Sequence, residues 1–370
     1  MMKKLAFLTW SIFCFFLPMV AQETSTEIPS SKGIQFEDLS LKDALAKAQA
    51  EGKKVFVDCY TQTCGPCKYM MKNIFPLEEC GDYFNPRYVS LTRDMNVGEG
   101  PEMGKKYGVG IYPTFLIINP DGTLYCKEIG AVRLNSQITF VEKMKRAVER
   151  TELEKRYDAG ERNDSLIRRY AELLKASGSP KSAQVIDNYL APMSIEKLCE
   201  DNHWKLFDTE VTSPDSPAFR KLFDNRKSFE NILGKEVVEN KLISTYKNEF
   251  DMYKMMDMDF AKRITDLKSL EKENLSQAST LVECMTIRWI INEKLAQRIS
   301  EIITILQQLK SLPSDADRMA IIKELNSFER VASATQRLKA CQALRAIQKE
   351  MSESYAQETS RVITRISPNK

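Results

Sequence analysis

Cys64 and Cys67 are separated only by Gly65-Pro66, directly after the apolar run Val55-Phe56-Val57-Asp58-Cys59 and at the head of a helix-compatible segment, Lys68 to Phe75. A strand that delivers two cysteines to the first turn of a helix restricts the fold, because the strand needs a sheet and the helix needs a surface to cover. The start of a helix also presents unpaired backbone N–H groups and positive potential, which favour a thiolate at the first cysteine. With a pKa near 7, about half of such a thiol is ionised at neutral pH, against a few per cent at the free value of ~8.5. Two intervening residues keep Cys67 within reach of a mixed disulfide formed at Cys64, so one pair can both capture and release a partner. The competing readings are half of a zinc site and a plain structural disulfide. Zinc wants four ligands, whereas the chain has no second CxxC and a single histidine, His203. The strand-turn-helix setting is the redox one.

The flanking sequence supplies the rest of such a unit. Ser40 precedes Leu41, Ala44, Leu45 and Ala48 at helical spacing, with Asp43 three residues on and Gly52 at the end, which predicts a capped amphipathic helix. Tyr88 to Asp94 and Thr114 to Ile118 read as strands, and Asn119-Pro120-Asp121-Gly122 turns the chain into a further strand from Thr123 to about Glu128. A last helix is expected from near Asn135, with Ile138, Val141, Met144 and Val148 on one face. The order is that of an α/β sandwich. Eleven of the fourteen glycines lie at or before Gly130, so a turn-rich unit gives way to a mostly helical one.

Charge and address narrow the function. Lys+Arg 54 against Asp+Glu 51 gives a net charge of +3 over 370 residues, which removes a compositional case for nucleic acid. With one histidine, triad hydrolases, multi-histidine metal sites and His-activated cysteine proteases would all have to pass through His203. Lys3 and Lys4, an apolar run from Leu5 to Leu17, and Pro18 to Ala21 before Gln22 form the pattern of a secretory signal peptide over 1–21. The run is shorter than the ~20 residues of a spanning helix. No later segment is apolar enough to span, which predicts an extracytoplasmic chain without a membrane span, in the cell envelope or periplasm. Residues 22–33 read as a flexible lead, 34–150 as the α/β unit and 151–370 as the helical domain.

The segment Val57 to Lys68, with Asp58 six residues before Cys64 and Cys64-Gly65-Pro66-Cys67 at its end, resembles the active-site segment of the thioredoxin superfamily. Tyr112-Pro113-Thr114 resembles that family's cis-proline motif at the opening of the third strand, and Gly130-Ala131 also fits. The resemblance covers roughly Phe36 to Arg150. It implies a mixed central sheet flanked by helices, Cys64 as nucleophile, Cys67 as resolving thiol, and Asp58 as a buried acid exchanging the proton of Cys67. It further implies a cis Pro113, with Tyr112, Thr114, Gly65 and Pro66 lining the substrate site. The dithiol carries two electrons, so no dissociable cofactor and no metal are implied; the partners are protein thiols and disulfides plus a redox-recycling protein. Two departures stand out. Thr63 replaces the usual tryptophan before the first cysteine, and Ser90 occupies the place of a lysine near the buried acid. Reductase, oxidase and isomerase directions all remain open at this point.

Beyond residue 150, short helices are expected at Leu166–Ala176, Ser182–Tyr189 and around Trp204 and Phe219, and longer ones from Lys235 to about Met255 and from Leu275 to Leu309. Ser314 with Asp317 caps another reaching roughly Tyr355. The last two should pair as a long antiparallel hairpin, a surface through which a homodimer could form. Met252, Met255, Met256 and Met258 with Tyr253 make a methionine-rich patch suited to core filling or to adaptable binding. Cys59, Cys199, Cys284 and Cys341 read as core thiols, and Cys80 and Cys126 as structural or free, with pairing to each other or to a partner as the alternative and Glu78 and Glu79 raising the pKa of Cys80. A second functional class fits the same pattern: an envelope binding or assembly protein whose helical half engages a partner while the α/β unit is a scaffold.

Overall fold

The computed structural model describes residues 33–252, 258–271 and 276–368. The segment 1–21 expected to be a signal peptide, most of the expected lead 22–33, and Tyr253, Met255 and Met256 of the methionine patch lie outside the described residues. The chain divides into two compact units between Arg156 and Tyr157.

The first unit follows the order α1 (Leu41–Glu51), β1 (Lys54–Tyr60), α2 (Gly65–Asn73), α3 (Glu78–Phe84), β2 (Tyr88–Asp94), α4 (Gly100–Tyr107), β3 (Thr114–Ile118), β4 (Leu124–Ile129) and α5 (Phe140–Asp158). Helix α1 starts where Ser40 accepts the N–H of Asp43 and stops at Gly52, whose φ of 64° is the left-handed cap that glycine adopts without strain. The strands form one sheet in the order β2-β1-β3-β4, with β1 and β2 parallel and β3 antiparallel to both its neighbours. Alternation along β1 sends Phe56 and Asp58 to one face and Val55, Val57 and Cys59 to the other. Phe56, Phe84, Phe115 and Phe140 pack with Met70 of α2 and with Ile74 just after it on the first face, and Phe115 and Phe140 meet edge to face at 4.7 Å. Ala44, Ala48, Val89, Leu91 and Leu116 fill the second. Gly100 is obligatory at the head of α4, because a Cβ there would lie 2.0 Å from the Asp94 carbonyl oxygen. The last helix begins at Phe140 and not near Asn135: the Thr139 hydroxyl accepts the N–H of Glu142, which fixes the start as Phe140 enters the core.

The second unit is mostly helical, as its periodicity predicts, with helices at Asp164–Ala176, Lys181–Leu190, Asp201–Glu210, Pro217–Asp224 and Lys235–Met252 near the expected places. The long hairpin is a correction. Its first arm is two helices, Ser276–Asn292 and Ile299–Gln308, joined through a 3-10 turn. Lys294 takes a left-handed φ of 51°, while its N–H reaches the Ile291 carbonyl and that of Leu295 the Ile290 carbonyl, a Schellman ending without glycine. The second arm is three helices, Asp315–Lys323, Ala334–Gln348 and Glu353–Ile366. Ser333 and Gln336 form a complete capping box that restarts the chain after Ser327 turns left-handed at φ 68°. The continuous seam invoked for a homodimer is therefore divided. Arg263, almost fully buried, holds the unit together through a fork to Asp215 and Glu249. The guanidinium beside Asp215 holds that carboxyl well below the usual range.

Candidate active site

Cys64 is the N-cap of α2, with an extended backbone (φ −75°, ψ 102°), and its sulfur accepts the backbone N–H of Cys67 at 3.1 Å. Pro66 sits in the first turn, where a missing N–H costs nothing. The two sulfurs are joined as a disulfide with the Cα atoms 5.3 Å apart. Their environments differ sharply: Cys64 is partly exposed between exposed Thr63, Gly65 and Pro66, whereas Cys67 is 1% exposed. In the reduced pair, an attacker from solvent meets Cys64 first, and the same N–H donors that face its sulfur favour negative charge there.

Asp58 lies on β1, on the face shared with α2, and is fully buried. Neither of its carboxyl oxygens has a hydrogen-bond partner among the described residues, and burial pushes its pKa up to about 7. Across the sheet it faces Thr92 on one side and Phe115 on the other. Ser90 pairs with Phe56 one step away on the same face, and its buried hydroxyl is also unpartnered among the described residues. The lysine place thus holds no cation, and burial without a charge partner is what raises the pKa of the acid.

The Tyr112-Pro113 peptide bond is cis. Thr114 opens β3, donates its hydroxyl hydrogen to the Ile111 carbonyl at 2.6 Å and pairs with Cys59, while the N–H of Gly130 donates to the Pro113 carbonyl at 2.9 Å. The register brings the end of β1, which leads to the disulfide, and the Tyr112-Pro113-Thr114 segment to one end of the sheet. Cys59, Cys80, Cys126, Cys199, Cys284 and Cys341 are all free and buried. Burial pushes the Cys59 and Cys80 thiols up to about 12, with Asp58 and Glu79 respectively adding to it. His203 lies in the helix Asp201–Glu210, its Nε2 3.4 Å from the Tyr189 hydroxyl, in the other unit. Among the described residues no group of His, Cys, Asp and Glu is arranged to hold a metal ion, and no helix is long and apolar enough to cross a membrane.

Sequence reasoning missed what surrounds this end of the sheet. Val97, Ile111 and Leu134 are each more than 60% exposed. The N–H of Leu134 donates to the Tyr69 hydroxyl at 3.3 Å, and that of Val132 to the Met70 sulfur at 3.4 Å, so the loop after β4 is pinned to α2. Nothing in the composition or period of 130–139 signals the contact.

A model of the thioredoxin-like domain matches residues 41–145. The chain is 35% identical over 81 residues to mitochondrial thioredoxin-3 of Saccharomyces cerevisiae, covering 22% of this chain and 58% of that protein. It is 30% identical over 108 residues to a thioredoxin of Rhodospirillum rubrum, covering 29% of this chain and 95% of that one. A solution structure of a candidate disulphide-isomerase from Bacteroides thetaiotaomicron is 44% identical, with a TM-score of 0.29, over 32% of this chain and 96% of its own. The chain spans little more than half of the yeast relative's length. It spans nearly all of the R. rubrum protein, and by that relationship, on top of the Cys64–Cys67 geometry, the chain belongs to the thioredoxin family.

Proposed function

We propose that the protein is a thiol-disulfide oxidoreductase of the cell envelope that exchanges disulfides with protein substrates, as a reductase or isomerase. The observation that carries this reading is the Cys64–Cys67 disulfide at the start of α2, with one sulfur reachable from solvent and the other buried.

In the reducing direction the Cys64 thiolate attacks one sulfur of a client disulfide, forming a mixed disulfide and expelling the second client sulfur as a thiolate. Asp58 takes the proton of Cys67, whose thiolate then attacks the Cys64 sulfur; the internal disulfide forms and the first client sulfur leaves as a thiolate. Two electrons pass from the dithiol to the client, so a recycling partner with its own dithiol must return them. An acid titrating near neutrality is suited to this exchange, since it gives and takes a proton with little driving force lost. The backbone N–H and C=O of Tyr112 have no partner among the described residues, which suits them to pair with a client strand beside Pro113, Thr114, Gly65 and Pro66. We assign 1–21 as a cleaved signal, 22–33 as a linker, and the catalytic and helical domains to 34–150 and 151–370.

The test is reduction of insulin disulfides by a dithiol-recharged enzyme. Wild-type protein precipitates the insulin B chain and Cys64→Ser does not; equal rates from both would reject the assignment. Sequencing of the exported protein should find a new N-terminus after Ala21, and an intact Met1 in the cytoplasmic fraction would reject the location.

A further inference from the structure

The exposed apolar side chains of the first unit are unevenly distributed. Asp94, Tyr60, Thr114 and Ile129 mark one end of the four strands, because Tyr60 pairs with Asp94, Cys59 with Thr114, and Thr114 with Ile129. Cys64 follows that end of β1 by four residues. Val97 follows the same end of β2, Ile111 precedes that of β3, and Ile129 and Leu134 lie at or after that of β4. Of the five large apolar side chains exposed among the described residues of this unit, only Leu124 lies at the opposite end. Single exposed leucines need no explanation, but four apolar groups gathered at the end of the sheet from which β1 leads to the disulfide do.

Leu134 is the most firmly placed of them. Its backbone and that of Val132 are tied to Tyr69 and Met70 of α2, so a side chain 62% exposed is nevertheless held on a fixed backbone. The Arg133 guanidinium lies 5.6 Å from the centre of the Tyr69 ring. Lys68 and Lys72 are exposed one turn apart on the same helix. Neither lysine, nor Arg133, has an ion-pair partner among the described residues. A fixed apolar contact bordered by three unpaired cations is complementary to a segment that carries an apolar residue and an acidic one.

We propose that Leu134, Tyr69 and Arg133 form a side subsite that takes an apolar side chain next to the client's cysteine, with an acidic client residue facing Arg133 and the α2 lysines. The occupant is an extended polypeptide segment around the client disulfide, so the inference rests on the oxidoreductase reading and narrows its substrates. It also supplies apolar contact that the Thr63 position lacks. Preorganisation of the loop means that binding orders little new backbone.

The test uses the full chain with four peptide disulfides, carrying leucine or serine beside the cysteine and aspartate or lysine one residue further, with hydroxyethyl disulfide alongside. Wild-type protein should prefer the leucine and aspartate peptides. Leu134→Ser should lower the leucine-over-serine preference in kcat/KM about tenfold, mainly through KM, as expected for loss of one apolar contact. Arg133→Glu should lower the aspartate-over-lysine preference about fivefold, an effect that weakens with salt. Equal wild-type turnover of leucine and serine peptides, or a preference unchanged in Leu134→Ser, overturns the subsite and leaves the oxidoreductase reading standing. No turnover of any disulfide, hydroxyethyl disulfide included, overturns both.

Discussion

The two units of the chain both bury cysteines, yet only one offers a sulfur to solvent. In the α/β unit the Cys64–Cys67 pair stands at the open end of the sheet, at the first turn of α2. In the helical unit Cys284 and Cys341 are buried within helices and Cys199 just after the short helix Ile195–Leu198, and burial pushes all three thiols up, Cys199 to about 11. On the proposed function the same atom serves as nucleophile or as inert filler according to its place: at the start of a helix its charge is favoured, and within a core its charge is penalised. A comparable contrast holds for carboxylates. Asp58 is buried without a partner and shifted upward, whereas Asp215 is half exposed, forked to Arg263 and shifted downward. The unpartnered group belongs to the redox unit and the paired one to structure.

Substitutions can break this contrast. The largest effect is expected for Cys64→Ser, which should lower insulin reduction by at least roughly a thousand-fold, since removal of a nucleophile removes the pathway. Asp58→Asn should slow reduction on the order of a hundred-fold at neutral pH, the range for loss of a proton acceptor. The same change has a signed effect on stability. Asp58 holds its proton up to about pH 7 when folded and releases it near 3.8 when unfolded, so wild-type stability should fall as pH rises from 4 through 7. Asp58→Asn should abolish that slope, and urea melts of oxidised protein at several pH values would read it. Arg263→Leu should cost about 2 kcal/mol, by leaving Asp215 and Glu249 unmatched, a penalty moderated because Asp215 is half exposed. It should leave insulin reduction within twofold, and a larger loss would show that the helical unit takes part in the chemistry. The smallest change is expected for Cys80→Ala, about 1 kcal/mol in stability from a lost buried sulfur, with activity intact.

How much was legible depended on whether the signal was local. The strands at Tyr88–Asp94 and Thr114–Ile118, the Ser40 and Ser314 caps and the Gly52 stop follow from residue types at fixed offsets, and each appears as read. The break at Lys294 was not legible, because a lysine took the left-handed position that sequence reading reserves for glycine and the apolar period ran straight through it. The restart at Ser333 was legible in Ser333 and Gln336, but the expectation of one continuous helix to Tyr355 concealed it. At the site, the cysteines are marked by their spacing, and Asp58 and Pro113 by the resemblance to the thioredoxin superfamily. The Tyr69 to Leu134 contact joins residues 65 apart and depends on the sheet bringing the loop after β4 back to α2, which no local pattern records.

The account stands on Cys64 being the one thiol poised to react. The direct measurement is competitive alkylation of the fully reduced, folded chain with iodoacetamide at pH 7, followed by mass spectrometry of each cysteine peptide. The account predicts that Cys64 is modified first, at least about a hundred-fold faster than Cys59, Cys80, Cys126, Cys199, Cys284 or Cys341, as exposure and thiolate character require. Modification of Cys64 no faster than those six would contradict it.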